Sequence, residues 1–355
     1  MAPRIMILAG GTGGHIFPAL AVASELRELG CEVMWMGTHT GMEARLVPAA
    51  GIPIHWLSVA GFRGKGLLLK LAAPFKLIGA CVQAARILLR EKPQAVLGMG
   101  GFVAGPGGFM ARLLGIPLLI HEQNRIPGTT NRILVKWAQV VLQAFPDSFP
   151  QARGALWVGN PLRKAIVKSP AIRHFISGSP LKLLVVGGSQ GAKVLNQIVP
   201  QALAQTGSPV QVWHQTGADT LADTQAAYQK LGVEARVVTF IEDMAEAYRW
   251  ADLAICRAGA MTVSELMAMS LPAVLVPFPY AIDDHQTANA RYLVEAGAAI
   301  LMPQTELNPD HLAGVIQQFQ QDRERLRSMS ERAGSLAKLD AAAVVADRCL
   351  QEARP

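Results

Sequence analysis

The sequence predicts an α/β fold with doubly wound parallel sheets, and three observations support this prediction. The apolar run 5–8 stops at the glycine loop Gly10-Gly11-Thr12-Gly13-Gly14, and apolar residues at helical spacing follow over 18–29. The same order of apolar run, glycine loop and helix returns from residue 181. Strand-like and helical segments also alternate through both halves. Continuous apolar runs are typical of parallel strands covered on both faces, and the alternation indicates a parallel sheet.

Two similar α/β domains are expected from the order of these segments. Further strands of the first half are predicted at 32–36, 54–58, 95–98, 117–121 and 140–143. The turn Gly159-Asn160-Pro161 and the Ser/Pro/Gly-rich stretch 169–180 then mark a change of domain. Strands of the second half are predicted at 181–186, 210–214, 237–241, 253–256 and 273–276, before a mainly helical tail over 311–351.

Glycine loops follow predicted strands at three places. The second is Gly187-Gly188-Ser189-Gln190-Gly191-Ala192, and the third runs over 99–108. Glycine lets the backbone approach a ligand without a Cβ clash, and a helix N-terminus presents unpaired N–H groups with a partial positive charge. Three such loops at strand ends favour a protein that handles phosphate groups.

Composition narrows the class of protein. A chain of 355 residues is long enough for two full cores, and 51% hydrophobic against 17% charged residues argues against disorder. Since no apolar run is long enough to cross a bilayer and the N-terminus does not resemble a signal peptide, we expect a cytoplasmic protein. The four cysteines are scattered without a CxxC pair, which favours neither disulfides nor a zinc site. The net charge of +7 favours anionic partners, whether nucleotides, nucleic acid or acidic lipid headgroups.

Several familiar motifs are missing from the sequence. The first loop does not complete G-x-G-x-x-G, and the second predicted strand ends in Met36-Gly37-Thr38 without an acidic residue, which argues against a dinucleotide site. Walker A, H-E-x-x-H and D-x-D sequences are also absent. Asp283-Asp284-His285 is a weak candidate for metal binding, and no metal site is predicted.

The region 252–286 is the second informative part of the chain. A predicted strand leads through Arg257-Ala258-Gly259 into a helix start, where N–H groups are again offered to an anion. Two interpretations of Glu265 are open. It either completes a capping box with Thr262 as the N-cap, or it accepts hydrogen bonds from a ribose diol. Arg257 likewise either adds charge near a nucleotide or serves as a structural ion-pair partner.

Seven segments resemble the MurG family, whose members transfer N-acetylglucosamine to lipid I and so form lipid II in bacterial cell-wall synthesis. They are GGTGGHIFP, MGGFVAGPGG, HEQN, GNPLR, GGSQGA, ICRAGAMTVSE and DDHQTANA. The resemblance implies a GT-B architecture, in which two Rossmann-like domains face a central cleft, and inverting transfer without a required metal or cofactor. It implies an N-terminal acceptor and membrane-side domain over 1–160, on which a C-terminal helix at about 338–355 packs, and a UDP-GlcNAc-binding domain over 161–337.

The resemblance also assigns site residues. Those implied for the donor UDP-GlcNAc are Thr12, Gly13, Gly14, Asn124, Arg163, Ser189, Ile241, Ala260, Met261, Thr262, Val263, Ser264, Glu265 and Gln286. Candidates for the acceptor and its diphosphate are Gly11, His15, Gly100, Gly101, Glu122 and Asn124. Ser189 and nearby amides suit diphosphate oxygens. Ile241, placed at a predicted strand end, suits backbone contacts to uracil, while Glu265 and Gln286 suit hydroxyl groups of the ribose and the sugar.

His15 is the candidate catalytic residue. Inverting transfer needs a base to take the proton of the acceptor hydroxyl, and an imidazole exchanges protons near neutral pH. Two interpretations are open, because His15 either serves as that base or only caps the helix and orients the phosphate end of the lipid. Stabilisation of the leaving diphosphate is expected from the second glycine loop and helix N-termini.

A candidate membrane surface follows the first domain's third predicted strand. Basic and apolar residues alternate over 61–90, and the candidates for membrane contact are Lys65, Lys70, Phe75 and Lys76. The alternative is an ordinary amphipathic helix whose apolar side is core. The expected partners are UDP-GlcNAc, lipid I, an anionic membrane surface at the cytoplasmic face of the inner membrane, and other cell-wall synthesis proteins, with no nucleic acid.

Two other classes of function remain open at this point. A related GT-B enzyme would glycosylate a different lipid or epimerise UDP-GlcNAc, and would differ in the loops near HEQN and GGFVAGPGG. A non-enzymatic nucleotide-sugar-binding protein would be expected to lack polar groups such as His15, Asn124, Glu265 and Gln286, which are present.

Overall fold

The computed structural model describes residues 2–59, 67–149, 154–168, 173–188 and 191–353, with backbone alone over 67–73 and at 282. Two compact units are present. The first comprises Met1–Arg163 with Lys338–Pro355, and the second comprises Lys164–Ala337. The change of unit therefore falls at 163/164 and 337/338 in the structure.

Strands and helices alternate along the described chain. The strands are β1 (Arg4–Leu8), β2 (Glu32–Gly37), β3 (Ile54–Trp56), β4 (Ala95–Gly98), β5 (Leu118–Glu122), β6 (Val140–Gln143), β7 (Leu156–Trp157), β8 (Leu181–Val186), β9 (Val210–Gln215), β10 (Arg236–Val238), β11 (Leu253–Cys256), β12 (Ala273–Leu275) and β13 (Ala299–Leu301). The helices are α1 (Gly13–Glu28), α2 (Glu43–Ala49), α3 (Leu67–Glu91), α4 (Gly101–Leu113), α5 (Thr129–Leu134), α6 (Lys164–Val167), α7 (Lys193–Ala204), α8 (Leu221–Lys230), α9 (Met244–Trp250), α10 (Ala260–Ala268), α11 (His285–Glu295), α12 (Pro309–Gln321), α13 (Arg323–Ser335) and α14 (Ala341–Ala353).

The described residues of the first unit form a seven-stranded sheet in the order β3-β2-β1-β4-β5-β6-β7, parallel at every pairing. Strand β1 lies inside the sheet, and the side chains of Ile5, Met6, Ile7 and Leu8 are fully buried. Both of its faces are covered, since Ile5 and Ile7 belong to one apolar cluster while Met6 and Leu8 belong to another. Helix α14 packs against α1 and completes the first of these clusters.

The described residues of the second unit form a six-stranded parallel sheet in the order β10-β9-β8-β11-β12-β13. Strand β8 occupies the position that β1 holds in the first unit, between its sequence neighbour and a strand from later in the chain. The apolar core around it gathers residues from β8, β11, α7 and α12. Both units therefore have the doubly wound order that the repeated pattern of strand, glycine loop and helix predicts.

Several element boundaries differ from the sequence predictions. Helix α1 begins at Gly13, before the predicted residue 18, because the carbonyl of Thr12 already accepts hydrogen bonds from the N–H groups of His15 and Ile16. Strand β10 ends at Val238, so the prediction that Ile241 lies at a strand end is wrong. Beyond β10 the carbonyl of Thr239 accepts from the Gly217 N–H at 3.1 Å. The short strands β7 and β13 were not predicted.

Helix α3 carries apolar residues on more than one face. Ala80, Ala84 and Leu88 are buried against the first unit, whereas Phe75 is 78% exposed and Ile78 is 61% exposed. The spacing of the buried set is four residues, as expected for one side of a helix. None of the helices within the described ranges has the combined length and apolar character needed to span a bilayer.

Candidate active site

The glycine loops lie at equivalent points of the two sheets. In the first unit β1 pairs with β4, and the loops that follow both strands lie at the carboxyl end of the sheet. In the second unit β8 pairs with β11 in the same way. At each of these pairs the strand order reverses direction, and ligands of doubly wound folds bind at that point. The topology thus provides one ligand-binding position in each unit.

Helices at these positions begin without side-chain caps. The N-cap residues are Thr12 for α1, Gly100 for α4, Ala192 for α7 and Gly259 for α10, and none of them makes a side-chain capping hydrogen bond in the described structure. Elsewhere Asp243, Asn308 and Asp322 cap α9, α12 and α13 through their side chains. Uncapped helix starts leave N–H donors for another partner, and the helix dipole favours an anion there.

The two glycine loops of the first unit are in close contact. Gly101 has φ 76°, and a Cβ built on it would collide with the carbonyl oxygen of Gly10. Gly100 has φ 92°, and its Cβ would lie 2.9 Å from Cε1 of His15. Glycine is required at both positions because of the left-handed backbone and the lack of space. Candidate residues Gly11, Gly100, Gly101 and His15 are therefore brought together.

A buried carboxylate fixes the first glycine loop. Glu43 is fully buried and accepts from the N–H of Gly11 at 3.0 Å. Its other oxygen accepts from the N–H and the hydroxyl of Thr38, at 2.9 and 2.7 Å. The sequence analysis missed Glu43, because it sought an acidic residue at the end of β2 and this one lies at the start of α2. Its role is to hold the loop in shape.

His15 lies next to a polar network that includes two unpredicted residues. Its Nδ1 is 2.9 Å from Oε1 of Gln123, and Nε2 of Gln123 is 3.0 Å from Nδ1 of His121. The Nε2 atom of His121 in turn lies 2.9 Å from the carbonyl oxygen of Gly159. Desolvation lowers the pKa of the fully buried His121 to about 4, so its ring is neutral at pH 7.

Glu122 and Asn124 form the base of the neighbouring loop. One carboxylate oxygen of Glu122 accepts from the backbone N–H of Asn124 at 2.9 Å and from its side-chain amide at 3.2 Å. The other oxygen accepts from Gly128 N–H and from Asn131 Nδ2, both at 3.0 Å. The buried carboxylate of Glu122 thus holds the segment 124–131 in place, while Asn124 lies at the start of that segment.

Arg163 is placed near the start of α1. Its guanidinium carbon lies 5.5 Å from the centre of the Phe17 ring, and that ring in turn fills the space beside Gly13, where a Cβ would be 2.9 Å away. Two residues of the predicted donor set that lie far apart in sequence, Gly13 and Arg163, are therefore brought to the same ring within the first unit.

In the second unit the glycine loop also approaches neighbouring backbone closely. Gly191 has φ 74°, and a Cβ on it would collide with the carbonyl of Thr216, while one on Gly187 would collide with the N–H of Ala192. The side chain of Asn196 in α7 fixes the Thr216 carbonyl through a 3.0 Å hydrogen bond. Ser189, a predicted diphosphate ligand, lies outside the described residues.

Helix α10 begins at Ala260 with Gly259 as its N-cap, so the first of the two interpretations, in which Thr262 caps the helix in a capping box with Glu265, is wrong. The Gly259 backbone reaches the extended conformation that an N-cap needs, and this places Thr262 inside the first turn. The carboxylate of Glu265 is buried and accepts from the hydroxyl of Tyr248 at 2.9 Å. Tyr248 was not predicted, and no motif in the sequence connects these two residues.

The run from Ala260 to Glu265 contains both partly exposed and buried side chains. Met261 and Thr262 are partly exposed, whereas the side chains of Ala260, Val263 and Ser264 are buried. The N–H of Val263 already donates to the Gly259 carbonyl at 2.9 Å. The helix start therefore offers backbone N–H groups of its first residues together with the partly exposed Met261 and Thr262.

Gln286 and Arg257 lie around the strand ends beside α10. The side-chain oxygen of Gln286 accepts from the N–H of Phe278 at 2.9 Å, which orients its amide nitrogen away from that backbone. Arg257 donates to the carbonyls of Val276 and Pro277 and to Oε1 of Gln304, at 3.1, 3.0 and 2.8 Å. Burial lowers the pKa of Arg257. These contacts support the structural interpretation of Arg257, although its partners are carbonyl oxygens rather than a carboxylate.

The comparisons with known proteins cover nearly the whole chain. The N-terminal domain of glycosyltransferase family 28 matches residues 5–143, and the C-terminal domain of that family matches residues 182–347. The chain belongs to glycosyltransferase family 28. The N-terminal match lies within the first unit of this glycosyltransferase, whereas the C-terminal match covers most of the second unit and extends to residue 347, in the segment that belongs to the first.

Relatives of this glycosyltransferase share its full length. A protein of Methylococcus capsulatus named UDP-N-acetylglucosamine--N-acetylmuramyl-(pentapeptide) pyrophosphoryl-undecaprenol N-acetylglucosamine transferase is 63% identical over 99% of each chain. A protein of Nitrosococcus oceani with the same name is 56% identical over 99% of each chain. The crystal structure of Acinetobacter baumannii MurG matches with a TM-score of 0.85 and 42% identity, covering 98% of this chain and 99% of that one. The resemblance to the MurG family and the GT-B fold class are confirmed.

No group of three or more His, Cys, Asp or Glu residues with the arrangement of a metal site occurs among the described residues of this glycosyltransferase. In the segment Asp283-Asp284-His285, considered above for metal binding, Asp283 and Asp284 have φ 52° and 51°. Asp284 accepts from the hydroxyl of Thr287 at 2.7 Å. This hydrogen bond ties Asp284 to the first turn of α11.

Proposed function

We propose that this chain transfers N-acetylglucosamine from UDP-GlcNAc to the C4 hydroxyl of MurNAc in lipid I, with inversion at the anomeric carbon, giving lipid II and UDP. The observation that carries the proposal is the relation to the named N-acetylglucosamine transferases, at 63% and 56% identity over 99% of each chain. Both family domains match this chain, and its sequence contains all seven segments on which the resemblance rests.

The second unit is proposed to hold the donor. The uncapped starts of α7 and α10 lie at the switch point of its sheet and supply N–H groups for the diphosphate. Ser189 joins them in this proposal, Glu265 accepts from the ribose hydroxyls, Gln286 donates to the sugar through its amide nitrogen, and Ile241 contacts uracil through its backbone. As the bond to the anomeric carbon breaks, these donors stabilise the negative charge that develops on the leaving UDP.

The first unit is proposed to hold the acceptor. The glycine loops around Gly11 and Gly101, followed by the uncapped starts of α1 and α4, suit the diphosphate of lipid I. His15 takes the proton of the acceptor hydroxyl while that oxygen bonds to the anomeric carbon. Thr12, Gly13, Gly14, Asn124 and Arg163 are retained as candidates for donor contact. The carboxylate of Glu122 makes four internal hydrogen bonds, which supports a positioning role for it.

The test is transfer of labelled GlcNAc from UDP-GlcNAc to a lipid I analogue, with EDTA present and a diacylglycerol acceptor in parallel. Chelator-resistant product from lipid I alone is expected. Transfer to diacylglycerol would point to a different lipid glycosyltransferase, and conversion of the donor to its 2-epimer would point to an epimerase. Binding of UDP-GlcNAc without any reaction would contradict an enzymatic role.

We also propose that the exposed apolar face of α3 binds an anionic bilayer, so that the protein works peripherally at the cytoplasmic face of the inner membrane. An apolar groove of about 770 Å³ lies between α3, α4 and α5 of the first unit. Its rim includes the half-exposed Leu77, Val82, Phe109 and Trp137, with Arg86 beside them. Lys76 is exposed on the same helix. Apolar side chains flanked by cations suit a surface with acidic headgroups. Lys65 and the side chain of Lys70 lie outside the described residues.

Vesicle binding tests this surface. Phe75→Glu combined with Lys76→Glu is expected to abolish sedimentation with vesicles that contain phosphatidylglycerol, while transfer to a detergent-solubilised lipid I analogue stays intact. Ile176→Glu is the matched control, because Ile176 is 64% exposed in the second unit, comparable to Phe75 at 78%. Unchanged vesicle binding by the α3 variant would exclude the membrane role. Other cell-wall synthesis proteins remain proposed partners.

A further inference from the structure

The polar network beside His15 has a hydrogen-bond direction that the structure determines completely. It starts at a backbone carbonyl, runs through His121 and Gln123, and ends at His15. All four partners lie in the first unit. Histidine tautomers and amide orientations are assigned from their partners, and here the network ends in groups whose role is fixed.

The first fixed group is the carbonyl oxygen of Gly159, which can only accept. Because it lies 2.9 Å from Nε2 of His121, that nitrogen carries a hydrogen. Burial lowers the pKa of His121 to about 4, so the ring holds a single hydrogen at pH 7 and its Nδ1 is an acceptor.

The second fixed group is the carbonyl oxygen of His121. The atom of Gln123 assigned as Nε2 is 3.1 Å from this carbonyl and 3.0 Å from Nδ1 of His121. Both partners are acceptors, so this end of the amide must be the NH2 group. Two independent contacts therefore give the same amide orientation, and Oε1 of Gln123 is the end that faces His15.

His15 is the last member of the network. Its Nδ1 lies 2.9 Å from Oε1 of Gln123, an acceptor, so Nδ1 must carry the hydrogen. The opposite tautomer would place two lone pairs against each other at that distance. The neutral ring then has its lone pair on Nε2. When the ring takes up a second proton there, the Nδ1 hydrogen bond to Gln123 is kept.

The surroundings leave this arrangement little freedom. The side chain of Gln123 is 1% exposed, and its backbone carbonyl accepts from Nδ2 of Asn160 at 3.0 Å. His121 is fully buried. Gly100 packs against the same edge of the imidazole and leaves no room for a Cβ, which would be 3.0 Å from Nδ1 of His15 and 3.6 Å from Oε1 of Gln123. The ring of His15 is thus held by an oriented amide and a closely packed glycine.

We propose that Gln123 and His121 are positioning residues, which hold His15 with its hydrogen on Nδ1 and so make Nε2 the atom that accepts the proton of the acceptor hydroxyl. This inference rests on the proposed transferase function. In the step, the O–H bond of the acceptor breaks and its proton passes to Nε2. The hydroxyl oxygen bonds to the anomeric carbon, and the bond from that carbon to the diphosphate oxygen breaks with its electron pair leaving on UDP.

The direct test is ¹⁵N NMR of histidine-labelled protein at pH 7.5, without substrate, with the His15 signals assigned by comparison with His15→Ala. A protonated ring nitrogen and a bare one have widely separated ¹⁵N shifts. The wild-type protein is expected to show a protonated Nδ1 and a bare Nε2 at His15. A His15 ring with its hydrogen on Nε2 would overturn the proposal whether or not a variant folds.

Variants at Gln123 connect the tautomer to catalysis. Gln123→Met keeps the side chain's length but removes both hydrogen-bonding ends, so the His15 hydrogen is expected to redistribute toward Nε2 and kcat to fall about 10- to 100-fold, with little change in KM for UDP-GlcNAc. Gln123→Glu keeps an acceptor for Nδ1 and is expected to retain the tautomer and more of the activity than the methionine variant.

Gln139→Met is the matched control. Its side-chain oxygen accepts from the N–H of Leu118 at 2.8 Å, at the opposite end of the strand that leads to Gln123. Wild-type tautomer and kcat are expected for this variant. Equal losses of kcat in both methionine variants, or an unchanged His15 tautomer in Gln123→Met, would overturn the positioning role. Failure of the proposed function is a distinguishable result, because the wild-type protein would then show no transfer at all.

Discussion

Each unit of the protein contains a buried histidine joined to a side-chain amide, and the two networks end differently. In the first unit His121 connects through Gln123 to His15, which is partly exposed at the glycine loops. In the second unit Nε2 of His214 lies 2.9 Å from Oδ1 of Asn196, and its Nδ1 lies 2.8 Å from the hydroxyl of Tyr228. Tyr228 is buried, and the side-chain amide of Asn196 donates to the carbonyl of the buried Thr216 at 3.0 Å, so the second network ends at buried groups.

The comparison shows that a perturbed pKa alone does not identify a catalytic histidine. Desolvation lowers the pKa of His121 to about 4 and that of His214 to about 3. Both rings are neutral at pH 7 and satisfied by hydrogen bonds, and neither is placed to meet a substrate. Burial raises the pKa of Tyr228, so its hydroxyl stays protonated and serves His214 as a donor. What differs is the end of each network, because the first ends at the partly exposed imidazole of His15 and the second ends at the buried residues Tyr228 and Thr216.

The largest expected difference is between loss of the His15 imidazole in the first unit and loss of the His214 imidazole in the second. His15→Ala is expected to lower kcat about 100- to 10,000-fold, the usual contribution of a general base, and to cost about 1 kcal/mol of stability because Oε1 of the buried Gln123 loses its hydrogen bond. His214→Gln is expected to keep kcat within about 2-fold but to destabilise the second unit by about 1–3 kcal/mol, since its partners lose hydrogen bonds. Steady-state transfer kinetics and hydrogen exchange measure the two effects. Nearly full kcat in His15→Ala would rule out the base.

A Cβ added beside His15 tests whether the position of its ring matters for catalysis. Gly100→Ala places a Cβ 2.9 Å from Cε1 of His15 and is expected to lower kcat about 10-fold or more, because the ring must shift. Gly115→Ala is the control, since Gly115 has φ 71° and no atom near its Cβ position. Both variants are expected to lose about 1–3 kcal/mol of stability, because alanine disfavours the positive φ at both positions. Equal kcat in the two would indicate that His15 tolerates displacement.

Acid is expected to weaken both units. The unfolded chain protonates an imidazole near pH 6.5, whereas His121 and His214 do so only near pH 4 and 3 in the folded state, so the unfolded state holds more protons between these values. The free energy of unfolding therefore falls as the pH drops through this window, by about 2 kcal/mol per histidine from pH 7 to pH 5.

Hydrogen exchange followed by mass spectrometry reads this pH dependence separately in each unit. His214→Gln is expected to flatten it in the second unit alone, leaving the contribution of His121 in the first unit. A wild-type slope in the second unit of that variant would mean that His214 is not the group responsible.

The smallest expected effect is the loss of stability when the Tyr228 hydroxyl is removed from the second network. Tyr228→Phe removes the hydroxyl that donates to Nδ1 of His214 and is expected to lower the stability of the second unit by about 1–2 kcal/mol. Transfer activity should be unchanged, in contrast to Gln123→Met in the first unit. A fall in kcat comparable to that of the Gln123 variant would make the second network functional and remove the distinction.

Much of the fold could be predicted because its signals are local. Strand β11 was predicted with the observed bounds, and the buried run of β1 was recognised from four consecutive apolar residues. Boundaries that depend on distant partners were harder. Helix α1 begins within the glycine loop, whose shape depends on Glu43 from another helix, and α10 takes Gly259 as its N-cap although Thr262 suits a cap by residue type.

The site was predicted only in part, because several of its residues act through partners that are distant in sequence. The glycine loops and His15 were found because strand, loop and helix are contiguous in sequence. Gln123, His121, Glu43 and Tyr248 were missed, since each acts through a residue far away in the chain or in another element. The role of Ser189, which lies outside the described residues, and those of the other predicted ligands remain predictions.

By itself, the sequence determined the two α/β domains, the family and the positions of the glycine loops, because apolar periodicity, glycine and contiguous motifs act over a few residues. Only the tertiary structure decided which face of α3 is left exposed and which of the polar residues after β5 reaches His15. The exposed face of α3 depends on which of its sides packs into the apolar core of the first unit. The contact to His15 depends on parallel strands bringing their carboxyl ends together, where hydrogen bonds between residues distant in sequence fix the direction of each donor and acceptor.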